Sequence, residues 1–266
     1  MMDAPFFWID AFTPTPFGGN PAAVCLLTST LEDEVMQQLA AEFGLSETAF
    51  LWPEREGFRL RWFTPTREVR LCGHATVAAA TALWSQDQEL TDLTFFTVSG
   101  TLEARQVSGK VQLTFPSRSP AKFPIPQGLV EALGIAPDKV QWCGRDEDDY
   151  LLLLPSEEDI RSLNPDFQAL REIETRGTIV TARSSTPEID FVSRFFAPQV
   201  GVDEDPVTGS AHCCLAAFWA EPLNKRIFQA RQLSPRGGQL EVELARDRVH
   251  LRGESYVLVS GTVSIL

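Results

Sequence analysis

Positive charge is scarce in this chain: Lys and Arg number 23 against 36 Asp and Glu, for a net charge of −13. That deficit argues against nucleic acid or an anionic membrane as the partner, while leaving any single pocket free to bind an anion. Histidine is scarcer still, with only His74, His212 and His250, which leaves no histidine-rich metal centre. The five cysteines (Cys25, Cys72, Cys143, Cys213, Cys214) are odd in number and form no Cys-x-x-Cys pair. No metal is therefore expected, and reduced thiols in a cytoplasmic protein are the simplest account. No apolar run approaches the ~18–20 residues of a membrane span, and the N-terminal stretch lacks the basic residues of a signal peptide. What remains is 266 residues, 44% hydrophobic and 22% charged, enough for a sizeable core and about two domains.

The local patterns are mixed. Phe6 to Phe12 and Ala22 to Leu27 read as strands, separated by Pro14, Pro16 and Gly18-Gly19. Leu31, Val35, Leu39 and Phe43 recur every fourth residue, and Gly44 follows. This predicts a surface helix over 31–43 with those four residues as its buried stripe and a cap near Thr30. Phe58, Leu60 and Trp62 alternate with Arg59 and Arg61 as in a strand, and Ser108-Gly109 marks a hairpin. In the second half, 150–154, 179–182 and 191–196 read as strands, and 129–133, 157–163 and 165–173 as helices.

One plan occurs twice. Trp62-Phe63-Thr64-Pro65 leads to Cys72-Gly73-His74, and Phe195-Phe196-Ala197-Pro198 leads to Thr208-Gly209-Ser210. Downstream, Leu102, Val111 and Leu113 correspond to Leu240, Val249 and Leu251. The chain therefore reads as a duplication, with domains at 1–117 and 118–255, joined by the Pro-rich stretch 117–126. The last strand, 256–266, is expected to return to the first domain. After each glycine runs an alanine-rich segment, 75–84 and 211–220, apolar nearly all round. A helix without a polar face must be enclosed, so each half is expected to roll a sheet around one central helix.

A helix start carries up to four unpaired N–H groups and roughly half a positive charge. Gly73 and Gly209 would let a carboxylate approach two such starts, needing no arginine. Either glycine alone reads more readily as a turn, and His74 or Ser210 as a simple cap. Their recurrence at matching places favours a ligand. Glu47, set among Leu45, Ala49, Phe50 and Leu51, reads as a carboxyl in apolar surroundings that takes and returns a proton. Asp205, fixed in extended conformation by Pro206, is placed to orient His74 or a substrate amine. Cys72 precedes a helix start, where the dipole would activate a thiol. His212 and His250 read as structural.

Ile9-Asp10-Ala11-Phe12, Phe17-Gly18-Gly19-Asn20-Pro21-Ala22, Leu45-Ser46-Glu47-Thr48-Ala49-Phe50, Cys72-Gly73-His74-Ala75-Thr76 and Asp205-Pro206-Val207-Thr208-Gly209-Ser210 together resemble the PhzF-like family of phenazine-biosynthesis isomerases. The match spans nearly the whole chain in order. The resemblance implies an α+β, diaminopimelate epimerase-like fold of two similar domains, usually a homodimer, working without metal or organic cofactor. It implies a glutamate, here Glu47, that moves a proton between carbons of a small carboxylate-bearing substrate. His74, Asp205 and Ser210 stand at the polar residues around that substrate, and Asn20, Gly73, Ala75 and Gly209 lie within the matching motifs. Related racemases use two cysteines, one before each central helix; this chain has only Cys72. An epimerase using Cys72 with a non-thiol partner, and a non-catalytic carboxylate-binding protein, stand as alternatives.

Overall fold

The first strand, Met2–Ala11, is antiparallel on both sides, to Asn20–Leu26 and to the last strand, Ser255–Ile265. Its partner Asn20–Leu26 is buried at five of seven positions, Pro21 and Leu26 excepted. Such a run belongs to a strand covered on both faces, and it runs parallel to Glu47–Glu54. The crossover between these two is the helix Asp33–Phe43. It ends at Gly44, whose φ of 65° is the left-handed conformation that favours glycine, with its N–H on the Ala40 carbonyl at 3.2 Å.

Two details of that helix differ from expectation. It starts at Asp33, with Glu32 rather than Thr30 at the cap and no side-chain cap bond. Its fully buried residues are Met36 and Ala40, while Leu31, Val35, Leu39 and Phe43 pack half-buried along the flank. The reason is geometric. Leu31 precedes the helix, and steps of four residues overshoot a full turn by about 40° each, so Val35, Leu39 and Phe43 fan out across its surface.

From Glu47–Glu54 the sheet continues antiparallel through Gly57–Phe63, then parallel to Asp92–Thr97. The hairpin strands Gly100–Val107 and Lys110–Pro116 follow, turning at Ser108 and Gly109 with φ of 52° and 78°. The helix Gly73–Gln86 supplies the parallel crossover, with ten residues from His74 to Trp84 buried. It packs against Met2–Ala11, Asn20–Leu26, Glu47–Glu54 and Ser255–Ile265. Its alanines let the curved sheet approach closely.

The computed structural model describes residues 2–265. The elements above form one unit, with boundaries at Thr114 and Leu251; Phe115–His250 forms the second. The second unit repeats the connectivity of the first. Trp142–Arg145 is antiparallel to Asp149–Leu153, which is parallel to Gly177–Arg183. Next come Phe191–Phe196 antiparallel, Ile227–Gln232 parallel, and Gly238–Ala245 antiparallel. Again the parallel crossover is a buried helix, Gly209–Leu223. Inside, Phe191 stacks on Trp219 at 5.8 Å, and Trp219 Nε1 donates to Thr181 Oγ1 at 3.1 Å. A second core, including Leu133, Tyr150, Leu152, Val180 and Phe196, lies under short helices. The helices expected over 129–133, 157–163 and 165–173 are single turns, Leu129–Ala132, Glu157–Arg161 and Phe167–Leu170. The stretch 117–126 is more than a connection, since Ala121–Lys122 pairs with Trp142–Arg145. The architecture is thus α+β, with each unit wrapping curved mixed strands around a buried helix.

Candidate active site

Glu47 opens its strand opposite Ala22 in the parallel ladder. Strand side chains alternate faces, so Glu47, Ala22 and Asn20, two residues before Ala22, project on the same side. Asn20 is fully buried. The loop before it is held by buried Asp10, whose Oδ2 accepts the Phe17 N–H at 2.9 Å. Within that loop Gly19 has φ of 63°, and a Cβ there would lie 2.1 Å from the Ala11 carbonyl oxygen.

The start of helix Gly73–Gln86 faces this strand end. Cys72 is the cap residue, Gly73 the first helical residue and His74 the second. The Thr76 hydroxyl donates to the Cys72 carbonyl at 2.6 Å, fixing the turn. His74 Nε2 lies 3.2 Å from Glu47 Oε2, with side-chain exposures of 8% and 17%. Cys72 Sγ lies 3.5 Å from His74 Nδ1, so both imidazole nitrogens have a neighbour. The Glu47 oxygen is within ion-pair range but is not aligned for a hydrogen bond, which leaves it buried without a hydrogen-bond partner.

Charge in this cluster follows from the enclosure. Burial pulls the His74 pKa down, but Cys72 and the Glu47 carboxylate outweigh it, and the balance lies well above the ordinary histidine value. With a neutral thiol beside it, the carboxylate is the partner we hold responsible. The Cys72 thiol is pushed up, first by burial and then by Glu47, against a smaller pull from His74 and the Ala75 amide. The sequence suggested the opposite, a thiol activated by the helix dipole. Burial of the sulfur outweighs the dipole.

In the second unit, Thr208 caps the helix where Cys72 does in the first, followed by Gly209 and Ser210. Asp205 Oδ2 accepts a short hydrogen bond from Thr208 Oγ1. The Gln232 side chain joins the Thr208 N–H, at 2.9 Å, to the Asp205 carbonyl, at 2.6 Å. This start does have an arginine: Arg176 Nη2 donates to Ser210 Oγ at 3.1 Å, while its fork is held by the buried Asp149 carboxylate. An arginine beside this helix start was not anticipated from the sequence. Arg176 and Asp149 are far from the motif in sequence, and no local signal marked them. His212 is buried, its Nδ1 donating to the Thr208 carbonyl at 2.7 Å, and burial pushes its pKa down to about 4. It is a neutral packing residue.

The described residues thus place the eight expected site residues in two groups. Asn20, Glu47, Gly73, His74 and Ala75 lie in the first unit, with Cys72 added, and Asp205, Gly209 and Ser210 in the second. Two like units, each a sheet around a helix that starts on glycine, make up the diaminopimelate epimerase-like fold. A probable proline racemase from Agrobacterium radiobacter shares this fold, with a TM-score of 0.65 at 12% identity, covering 99% of this chain and 93% of its own. Residues 9–264 match the phenazine biosynthesis-like protein family (PhzC-PhzF), and the chain belongs to that family. A Halalkalibacterium halodurans relative named as an isomerase is 49% identical over 97% of this chain and 98% of its own. The crystal structure of a PhzF-family protein from Enterococcus faecalis matches at 39% identity with a TM-score of 0.94, covering 99% of this chain and 100% of that one. Among the described residues no helix is long and apolar enough to cross a membrane.

Proposed function

We propose that this isomerase moves a proton between carbons of a small carboxylate-bearing substrate, with Glu47 as the acid/base group and no cofactor. The observation that carries the reading is the enclosed Glu47 Oε2, 3.2 Å from His74 Nε2 at the start of a buried helix. A carboxylate in that position takes a proton from a substrate carbon, and the electron pair passes into the substrate's conjugated system. The resulting carboxylic acid returns the proton at a second carbon, so Glu47 ends as it began. His74, held cationic by its neighbours, opposes the negative charge that develops, and the first-turn N–H groups from Gly73 to Ala75 do the same. Asn20 on the shared sheet face is assigned to orient the substrate, and Asp205, Gly209 and Ser210 are the candidate substrate-binding residues of the second unit. A homodimer belongs to the same proposal, and light scattering of the purified protein measures it.

Proton exchange from D₂O into a panel of aromatic and cyclic amino acids, followed by NMR, tests the reading across the whole substrate class. A positioned proton-transfer group contributes ~10²–10⁴-fold in rate. Glu47→Gln should therefore lose at least about 100-fold of the exchange while keeping its melting temperature. A folded Glu47→Gln protein with full exchange would remove Glu47 from the mechanism. The 3.5 Å contact between Cys72 and His74 favours a second reading, an epimerase with Cys72 as one acid/base group. Near-normal exchange in Cys72→Ala speaks for Glu47, and total loss there with Glu47→Gln active speaks for the thiol. Binding without any exchange would leave a carboxylate-binding protein.

A further inference from the structure

The donor atoms of Glu47, Cys72 and His74 all lie within 4.8 Å of one another, and the three side chains are largely enclosed. We propose that they form a site for a thiophilic divalent cation of the Zn²⁺ or Co²⁺ type, which occupies the acid/base group and blocks it. The donors are a thiolate sulfur, an imidazole nitrogen and a carboxylate oxygen. That set suits zinc and cobalt and is poor for magnesium or calcium.

The spacing supports the assignment. Bond lengths of about 2.3 Å to sulfur and 2.0–2.2 Å to nitrogen and oxygen put tetrahedral ligands roughly 3.3–3.7 Å apart. His74 Nε2 is 3.2 Å from Glu47 Oε2 and 4.0 Å from Cys72 Sγ. The sulfur now lies 3.5 Å from His74 Nδ1, so closing the triangle on Nε2 requires the Cys72 and His74 side chains to turn. The Glu47 oxygen that would bind now faces His74 Nε2 at 3.2 Å, and the cation takes the place of that ion pair. Three protein ligands leave a fourth position open, as in sites that retain water or a ligand. The ligands bind in their deprotonated forms, so the cation displaces protons and affinity rises with pH.

Inhibition by the cation depends on the acid/base role proposed for Glu47, whereas binding does not. Binding is therefore read by spectroscopy. Titration of the metal-free protein with Co²⁺ should give a thiolate-to-cobalt band in the near ultraviolet and tetrahedral bands in the visible, saturating at one equivalent and displaced by Zn²⁺. Cys72→Ser should abolish the near-ultraviolet band, and His74→Ala and Glu47→Gln should each weaken affinity by about 10-fold or more. Circular dichroism checks that each variant is folded. A band unchanged in Cys72→Ser, or no band at about 1 mM Co²⁺, overturns the site. If the band forms and Glu47→Gln keeps full proton exchange, the metal site stands and the acid/base reading falls. The reverse pair of results removes the metal site alone.

Discussion

Lowering the pH from 7 to 5 should cost this protein about 2 kcal/mol of stability through His212 alone. The imidazole is fully buried against Phe191, at a ring distance of 6.2 Å, and burial pushes its pKa down to about 4 against a weaker opposite pull from the Thr208 carbonyl. An unfolded histidine takes its proton near 6.5. Between those values the unfolded chain binds a proton that the folded one refuses. The contribution is therefore intact above about pH 6.5 and is lost as pH falls, reaching about 2 kcal/mol at pH 5 and roughly 3 kcal/mol at pH 4. Urea unfolding of wild type and His212→Asn at pH 7 and pH 5 measures it. Asparagine keeps an N–H donor for the Thr208 carbonyl, and the variant will be weaker at both pH values through lost volume. The informative quantity is the extra loss on acidification in wild type. His74, whose raised pKa acts in the opposite direction, is common to both proteins and cancels. The Glu157 carboxyl, which burial raises but bonds from Ser185, Arg161 and Ser184 pull down to about 2, titrates below this window. Equal losses in both proteins, or a His212 ring resonance titrating near 6.5 in the folded state, would refute the reasoning.

Two further substitutions test the fold around the sites. Arg194 makes a two-pronged pair with Glu204 at 2.7 and 2.8 Å, with both side chains only 10% exposed, and donates to the Leu163 carbonyl at 2.9 Å. Arg194→Met strands a buried carboxylate and should cost about 3–5 kcal/mol in chemical denaturation; a loss under about 1 kcal/mol would show the pair to be solvated. Gly19→Ala combines an unfavourable backbone angle with a Cβ driven into the Ala11 carbonyl. It should cost about 2–3 kcal/mol and shift the loop ahead of Asn20, and an unchanged melting temperature would contradict the geometry.

Much of the architecture is legible in residue order, because it depends on local pattern. The helix Asp33–Phe43 follows from its apolar period and from Gly44, and the two enclosed helices follow from alanine-rich segments with no polar face. The duplication is visible as paired motifs and returns as matching strand order in the two units. Chain order also names Glu47, His74, Cys72 and Ser210. It does not say what each one touches. Glu47 begins a strand and His74 begins a helix, and only the parallel pairing of Glu47–Glu54 with Asn20–Leu26 around Gly73–Gln86 brings the two within 3.2 Å. Arg176 reaches Ser210 in the same way, by the parallel register of Asp149–Leu153 with Gly177–Arg183. The direction of the Cys72 pKa was likewise decided in three dimensions. A helix start lowers a thiol's pKa wherever it occurs, but desolvation depends on what packs over the sulfur, and those atoms come from distant parts of the chain.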